Sequence, residues 1–146
     1  MRRAAVIFDV DGTLADCSHR LHFVQRPKKD WERFFAACAE DLPRQQIVRL
    51  AQELAKNNAI LIASGRPERL RKVTEAWLVQ YDVPYEKIYL RGDADRRADG
   101  TVKSEMLKLM RNHGFEPWLV IDDRETAVEG WRSLGLMCLQ CDESRY

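Results

Sequence analysis

Five short apolar runs alternate with segments patterned as helices, and this alternation constrains the fold more than any other feature of the chain. The runs are residues 4–8 (Ala4-Ala5-Val6-Ile7-Phe8), 59–63 (Ala59-Ile60-Leu61-Ile62-Ala63), 87–90, 118–121 and 136–139. They are continuous, as suits strands covered on both faces. Between them, residues 45–56 place Ile47, Val48, Leu50, Ala51, Leu54 and Ala55 on one stripe, closed by Asn57-Asn58. Residues 67–81 carry Leu70, Val73, Trp77, Leu78 and Tyr81 at helical spacing, with Pro67 suited to the first helical position. Residues 102–111 and 125–134 repeat the pattern, and Gly114 and Gly135 follow them as stop residues. Strands alternating with helices mean βαβ units and a parallel sheet, an α/β fold.

The length of 146 residues suits one domain spanning 1–146. Residues 16–43 are too long for an ordinary βα connection. Their aromatic stretch, residues 31–39 with Trp31, Phe34 and Phe35, predicts a short helix. The segment reads as a small cap-like insertion after strand 1, lying over the mouth of a site. No apolar run approaches the roughly 18–20 residues that cross a bilayer. Met1-Arg2-Arg3 leads directly into a strand without a signal-type apolar region, so a cytoplasmic location is expected. The 24 basic and 23 acidic residues nearly cancel, which argues against a dedicated duplex binder but not against a nucleic-acid end as substrate. Cys138-x-x-Cys141 has no second pair to complete a zinc site and falls on a strand, so the four cysteines read as reduced thiols. His19-x-x-His22 likewise lacks partner ligands.

Function is carried by where the strands stop. In open α/β sheets, ligands bind beyond the carboxyl ends of the strands. The first strand ends in Asp9-Val10-Asp11-Gly12-Thr13, the second in Ser64-Gly65-Arg66 and the fourth in Asp122-Asp123-Arg124. Lys103, opening the helix before the fourth strand, reaches the same edge. Four converging carboxylates repel one another unless a cation joins them, and their hard oxygens suit Mg²⁺. Ser64, Arg66 and Lys103 are donors for phosphate oxygens. A cation among such donors describes phosphoryl transfer. Alone, each short motif is as readily a turn or a helix cap. Jointly, each follows a strand and all face one edge.

The set Asp9-Val10-Asp11-Gly12-Thr13-Leu14, Ser64, Lys103 and Asp122-Asp123 resembles the four motifs of the haloacid-dehalogenase-like superfamily. Over almost the whole chain the sequence is similar to the 3′-phosphatase domain of bacteriophage-type polynucleotide kinase–phosphatase. The features are residues 6–15, Ser64-Gly65-Arg66, Asp99 four residues before Lys103, Ile121-Asp122-Asp123-Arg124, and Trp131-Arg132-x-x-Gly135. The resemblance implies a three-layer Rossmann-like core and a Mg²⁺-dependent phosphatase. It implies that Asp9 is the nucleophile and Asp11 the general acid and base. It implies that Mg²⁺ is held by Asp9, the Asp11 carbonyl, Asp122 and Asp123. Ser64 and Lys103 would grip the phosphoryl group, Gly65, Arg66 and Arg20 would meet the substrate, and Asp99 would orient Lys103 or an arginine. The expected substrate is a 3′-phosphorylated DNA or RNA end or nucleotide, as in nucleic-acid repair. No G-x-x-x-x-G-K-[ST] loop occurs, so no kinase activity is expected.

Two further readings stand beside this one: a nucleotidase or other small-molecule phosphatase, and a non-catalytic module that binds phosphate or nucleic-acid ends. Arg66, Arg69, Arg71 and Lys72, with Arg91, Arg96 and Arg97, either track a strand backbone or form a solvated face. Trp31, Phe34 and Phe35 either stack bases or pack as the core of the cap helix.

Overall fold

A computed structural model describes residues 1–143. The chain runs β1 (Arg3–Phe8), β2 (Ala15–Asp16), α1 (Trp31–Ala36), β3 (Leu42–Pro43), α2 (Gln45–Leu54), β4 (Ala59–Pro67), α3 (Arg71–Gln80), β5 (Lys87–Arg91), α4 (Asp99–Asn112), β6 (Phe115–Asp122), α5 (Glu125–Ser133) and β7 (Met137–Gln140). Five strands form one parallel sheet in the order β5-β4-β1-β6-β7.

Continuous apolar strands are explained by what covers each face. In β1, Ala5 and Ile7 join one core, while Val6 and Phe8 join the other. The first core brings in Val102, Met106, Leu107 and Met110 of α4 with Val128 and Trp131 of α5. The second brings in Val48 and Ala51 of α2 with Trp77 and Leu78 of α3. The result is the three-layer α/β core, with β1 in the centre and buried on both sides. Gly114 and Gly135 adopt φ of 93° and 85°, as expected of residues that stop α4 and α5.

Several sequence expectations shift. Pro67 does not open a helix: it is the last residue of β4, and a 3₁₀ turn at Glu68–Leu70 precedes α3. A residue before proline is driven out of the helical region, which keeps Arg66 extended and lengthens the strand through Ser64-Gly65-Arg66. Leu50 and Leu109 lie beyond their helices' buried stripes and are exposed. Trp118 is not a core strand residue: it is 50% exposed and donates Nε1 to Asn58 Oδ1 at 2.8 Å. The β1–β6 register skips it between Pro117 and Leu119. Such a bulge accommodates a proline that offers the sheet no N–H.

Residues 16–43 carry their own small core of Cys17, Leu21, Val24 and Phe34, flanked by Phe23, Trp31 and Phe35. The β2–β3 pair stitches the two ends of the segment together, Ala15 opposite Pro43 and Asp16 opposite Leu42. Phe34 is 1% exposed and is the keystone of this cluster, so the cap helix packs as a core there. Phe34→Ala is expected to cost about 3–5 kcal/mol. Limited proteolysis should then cut first within residues 18–41, before the sheet; first cleavage elsewhere would show that the segment has no separate core.

Candidate active site

The turn after β1 is fixed by its apolar residues. Val10 and Leu14 are fully buried in the second core, and the Val10 carbonyl accepts from Thr13 N and Ala15 N at 3.1 and 2.9 Å. With Val10 pointing inward, Asp9 and Asp11 on either side of it are both left facing the site. Gly12 has φ of 80°, and a Cβ built on it would lie 2.1 Å from Asp123 Oδ2. Only glycine lets this turn approach the carboxylates of β6 so closely.

Asp9, Asp122 and Asp123 each place an oxygen within 4.8 Å of the others. Asp9 N donates to Ile121 O at 3.0 Å, which holds the end of β1 beside the end of β6. Asp122 Oδ1 accepts from Asp123 N and Arg124 N, and Oδ2 from Trp131 Nε1 at 3.2 Å. Asp123 Oδ1 accepts from Thr13 Oγ1 at 3.3 Å. Burial raises all three carboxyls above their ordinary range, and Asp122 and Asp123 add to the shift of Asp9 while the Lys103 ammonium opposes it. Asp123 is pushed up to about 7, by burial and then by Asp122.

Asp9, Asp11, Ser64, Gly65, Lys103 and Asp122 face one cavity of about 50 Å³, roofed by Trp31, Phe34 and Phe35. By that measure a water needs about 10–15 Å³, so the space suits a phosphoryl group and excludes a nucleotide. It adjoins a groove of about 340 Å³ that includes Arg69, Arg91, Arg96, Arg97 and Arg124. Trp31 and Phe35 stand at the junction of the two, with the Arg124 guanidinium 5.4 Å from the Trp31 ring.

Asp11 belongs to a different set. Its carboxylate is not in the acidic trio; it accepts from Arg20 Nη2 at 2.5 Å and from Arg66 Nη2 at 2.7 Å. Burial works to raise the carboxyl, but Arg66 and Arg20 outweigh it and hold it down at about 2. Arg20 and Arg66 are both buried, so each is committed to this network and neither lies open at the mouth. Arg66 Nη1 donates to Thr74 Oγ1 at 3.0 Å, and Arg20 Nη1 to Phe34 O at 3.1 Å. Asp99 pairs with Arg91 and Thr126: Oδ1 accepts from Arg91 Nη2 at 2.8 Å, and Oδ2 from Thr126 Oγ1 at 2.6 Å. Arg71 is taken up by Glu68 and the Ile88 carbonyl, and Arg97 by Asp95 and Glu105, so the basic clusters do not form one unbroken strip.

Sequence reasoning missed Asp41, a fully buried carboxylate bound to Arg20, and the Trp131 and Thr13 donors that orient the trio. Asp41 sits among Glu40 and Leu42-Pro43 with no local motif, and its partner is 21 residues away. No spacing rule reaches it.

The donor set fits a divalent cation. Among the described residues, the buried charged ones are Asp9, Asp11, Asp41, Asp122 and Asp123 against Arg20, Arg66 and Lys103, an excess of two negative charges when all are ionised. Three of the acids are hard oxygen donors already converged, as Mg²⁺ requires.

Two measurements test this geometry. Gly12→Ala forces a side chain into a left-handed turn, at roughly 1–2 kcal/mol, and drives Asp123 from the trio. The variant should fold and lose magnesium binding by calorimetry; unaltered binding would exclude the close approach. The second concerns pH. Asp123 keeps its proton to about 7 when folded, whereas an unfolded carboxyl loses it near 4. Between those values the folded state binds more protons, so stability falls as pH rises. A magnesium ion bound by the trio would replace the proton, and should therefore raise the melting temperature more at pH 8 than at pH 5. An equal shift at both would contradict the shared carboxylate site.

The comparisons with known proteins agree with this geometry. Residues 3–146 match the family model described as the polynucleotide kinase PNKP phosphatase domain. Two chains from structures of the Pnkp1/Rnl/Hen1 complex, one described as an RNA repair complex, superpose with TM-scores of 0.83 at 24% and 25% identity. They align with 99% of this chain, which spans only 44% and 48% of their length. The haloacid dehalogenase-like hydrolase SP0104 from Streptococcus pneumoniae shares the fold, with a TM-score of 0.64, 20% identity, and 92% and 82% of the two chains covered. The chain is a phosphatase of the haloacid-dehalogenase superfamily and belongs to the PNKP phosphatase-domain family.

Proposed function

We propose that this chain is a Mg²⁺-dependent phosphomonoesterase that works through an aspartyl-phosphate on Asp9 and removes 3′-phosphates from polynucleotide ends. The observation that carries the reading is the cavity of about 50 Å³ in which Asp9 faces Ser64 and Lys103. Its size admits a terminal phosphoryl group, and the adjoining arginine-containing groove offers room for the strand that carries it. The resemblance to chains of an RNA repair complex supports nucleic-acid ends as the substrate.

Asp9 attacks phosphorus, and the bond to the ribose oxygen breaks as Asp11 gives that oxygen a proton. Water then attacks the aspartyl-phosphate, Asp11 takes its proton, and inorganic phosphate leaves with Asp9 restored. Ser64 and Lys103 hold the phosphoryl oxygens, and Lys103 balances the charge on Asp9. Asp9, Asp122, Asp123 and the Asp11 carbonyl would hold Mg²⁺, which would supply charge neutralisation for the phosphoryl group and the nucleophile. Asp11 acts as an acid only after leaving Arg20 and Arg66 and taking up a proton from solvent, and their guanidinium groups then meet phosphoryl oxygens instead.

The test compares phosphate release from a 3′-phosphorylated oligonucleotide, a 5′-phosphorylated one and a 3′-mononucleotide, with Mg²⁺, for wild type and Asp9→Asn. The 3′-phosphorylated oligonucleotide should be preferred, and Asp9→Asn should lose about 10⁴-fold or more. Preference for the 5′ end would overturn the substrate, preference for the mononucleotide would favour a nucleotidase, and equal inactivity of both proteins would leave a binding module.

A further inference from the structure

We propose that Asp41 is a positioning residue, the fixed counter-charge that lets Arg20 and Arg66 exchange Asp11 for the phosphoryl group. The inference rests on the acid–base role given above to Asp11.

Asp41 lies outside every motif of the site and is fully buried at the end of the insertion. It meets the Arg20 fork with both oxygens, Nε to Oδ1 at 2.8 Å and Nη2 to Oδ2 at 2.5 Å. Arg66 Nη2 is 3.5 Å from Oδ2. The two guanidinium groups therefore stand between two carboxylates, Asp11 on the catalytic side and Asp41 behind. On the outer side His19 Nε2 lies 2.6 Å from Oδ1.

The two carboxylates differ in what lies beside them: Asp11 faces the cavity, and Asp41 does not. Asp11 sits on the turn after β1, two residues from the nucleophile. Asp41 is held by its backbone: its carbonyl accepts Trp77 Nε1 at 2.9 Å, its N–H donates to Cys38 O at 3.2 Å, and β3 begins at the next residue. When Asp11 turns to the leaving oxygen, two buried cations lose the partner they share. Like charges in so dry a place repel strongly, and a buried ion without a partner is costly. Asp41 remains in contact with both, so neither arginine has to move with Asp11. A bidentate guanidinium–carboxylate pair also fixes direction as well as charge.

Substrates with different leaving groups separate this role from a structural one. Nitrophenolate leaves without a proton, whereas a ribose oxygen requires one. Asp41→Asn keeps the shape and removes the charge. Activation of the second-step water by Asp11 is common to both substrates, so the readout is the rate of the first step in a single turnover. For a 3′-phosphorylated oligonucleotide it should fall at least about tenfold, part of the roughly 10²–10⁴ that a positioned acid–base group supplies. For nitrophenyl phosphate it should fall less than about threefold. Asp11→Asn is the control and should show the same split more strongly. A split in Asp11→Asn with equal losses, or none, in Asp41→Asn overturns this inference alone. No split in Asp11→Asn removes the acid–base reading and this inference together. If circular dichroism shows Asp41→Asn unfolded, Arg20→Lys serves in its place. It keeps a cation but cannot fill the fork, and it should show the same split; equal losses on the two substrates overturn the proposal.

Discussion

The structure depends on keeping like charges together. Asp9, Asp122 and Asp123 have oxygens within 4.8 Å of one another and are nearly out of solvent, an arrangement that opposes folding when no cation is present. Apolar packing on both sides of it supplies the restraint. Val10 and Leu14 pin the β1 turn into one core, and Trp131 anchors α5 in the other while its indole N–H reaches Asp122. Burying large side chains of this kind contributes about 1.5–3 kcal/mol each. The hydrophobic layers therefore hold the carboxylates in a position their own electrostatics resist, and a divalent ion bound there would relieve the opposition.

A second charge system lies beside the first and is balanced internally. Asp11, Arg20, Asp41 and Arg66 contain two charges of each sign, all buried. This set needs no metal, and Asp11 is held down at about 2 while Asp123 is pushed up to about 7. Neighbouring carboxylates on one sheet edge are thus driven in opposite directions, one held down by arginines against its burial and the others raised first by burial. Environments that separate the behaviour of like groups are how one site performs acid–base and nucleophilic work together.

The core of the fold was legible because its signals are local. A continuous run such as Val6-Ile7-Phe8 has to be covered twice, and an acidic residue directly after it has to lie at the strand's end. Helix stops at Gly114 and Gly135 were legible for the same reason. Misreadings came where two local preferences compete. Pro67 fits the first position of a helix and the last of a strand equally well, and the extended backbone before it decided for the strand. Trp118 reads as a strand residue, but Pro117 beside it forces a bulge that turns it outward. Asp41 was illegible for another reason: its meaning lies wholly in Arg20 and Arg66, which precede and follow it by 21 and 25 residues and sit on other elements.

This division has a physical origin in residues 16–43. The sheet builds the phosphoryl site from strand ends, whose chemistry is fixed by position. The insertion has a separate small core and only a two-residue strand pair at its base. Its contributions, Arg20, Asp41 and the Trp31–Phe35 roof, reach the site through tertiary packing alone. Phe34 joins the two roles, since its ring packs in that core and lies 4.2 Å from the Arg20 guanidinium while its carbonyl accepts from the same arginine. The packing of the cap is thereby coupled to the arginine that holds Asp11. A change in the cap that moved Phe34 would reach Asp11 through Arg20 before it reached Asp9, whose neighbours Asp122, Asp123 and Lys103 lie on the sheet side.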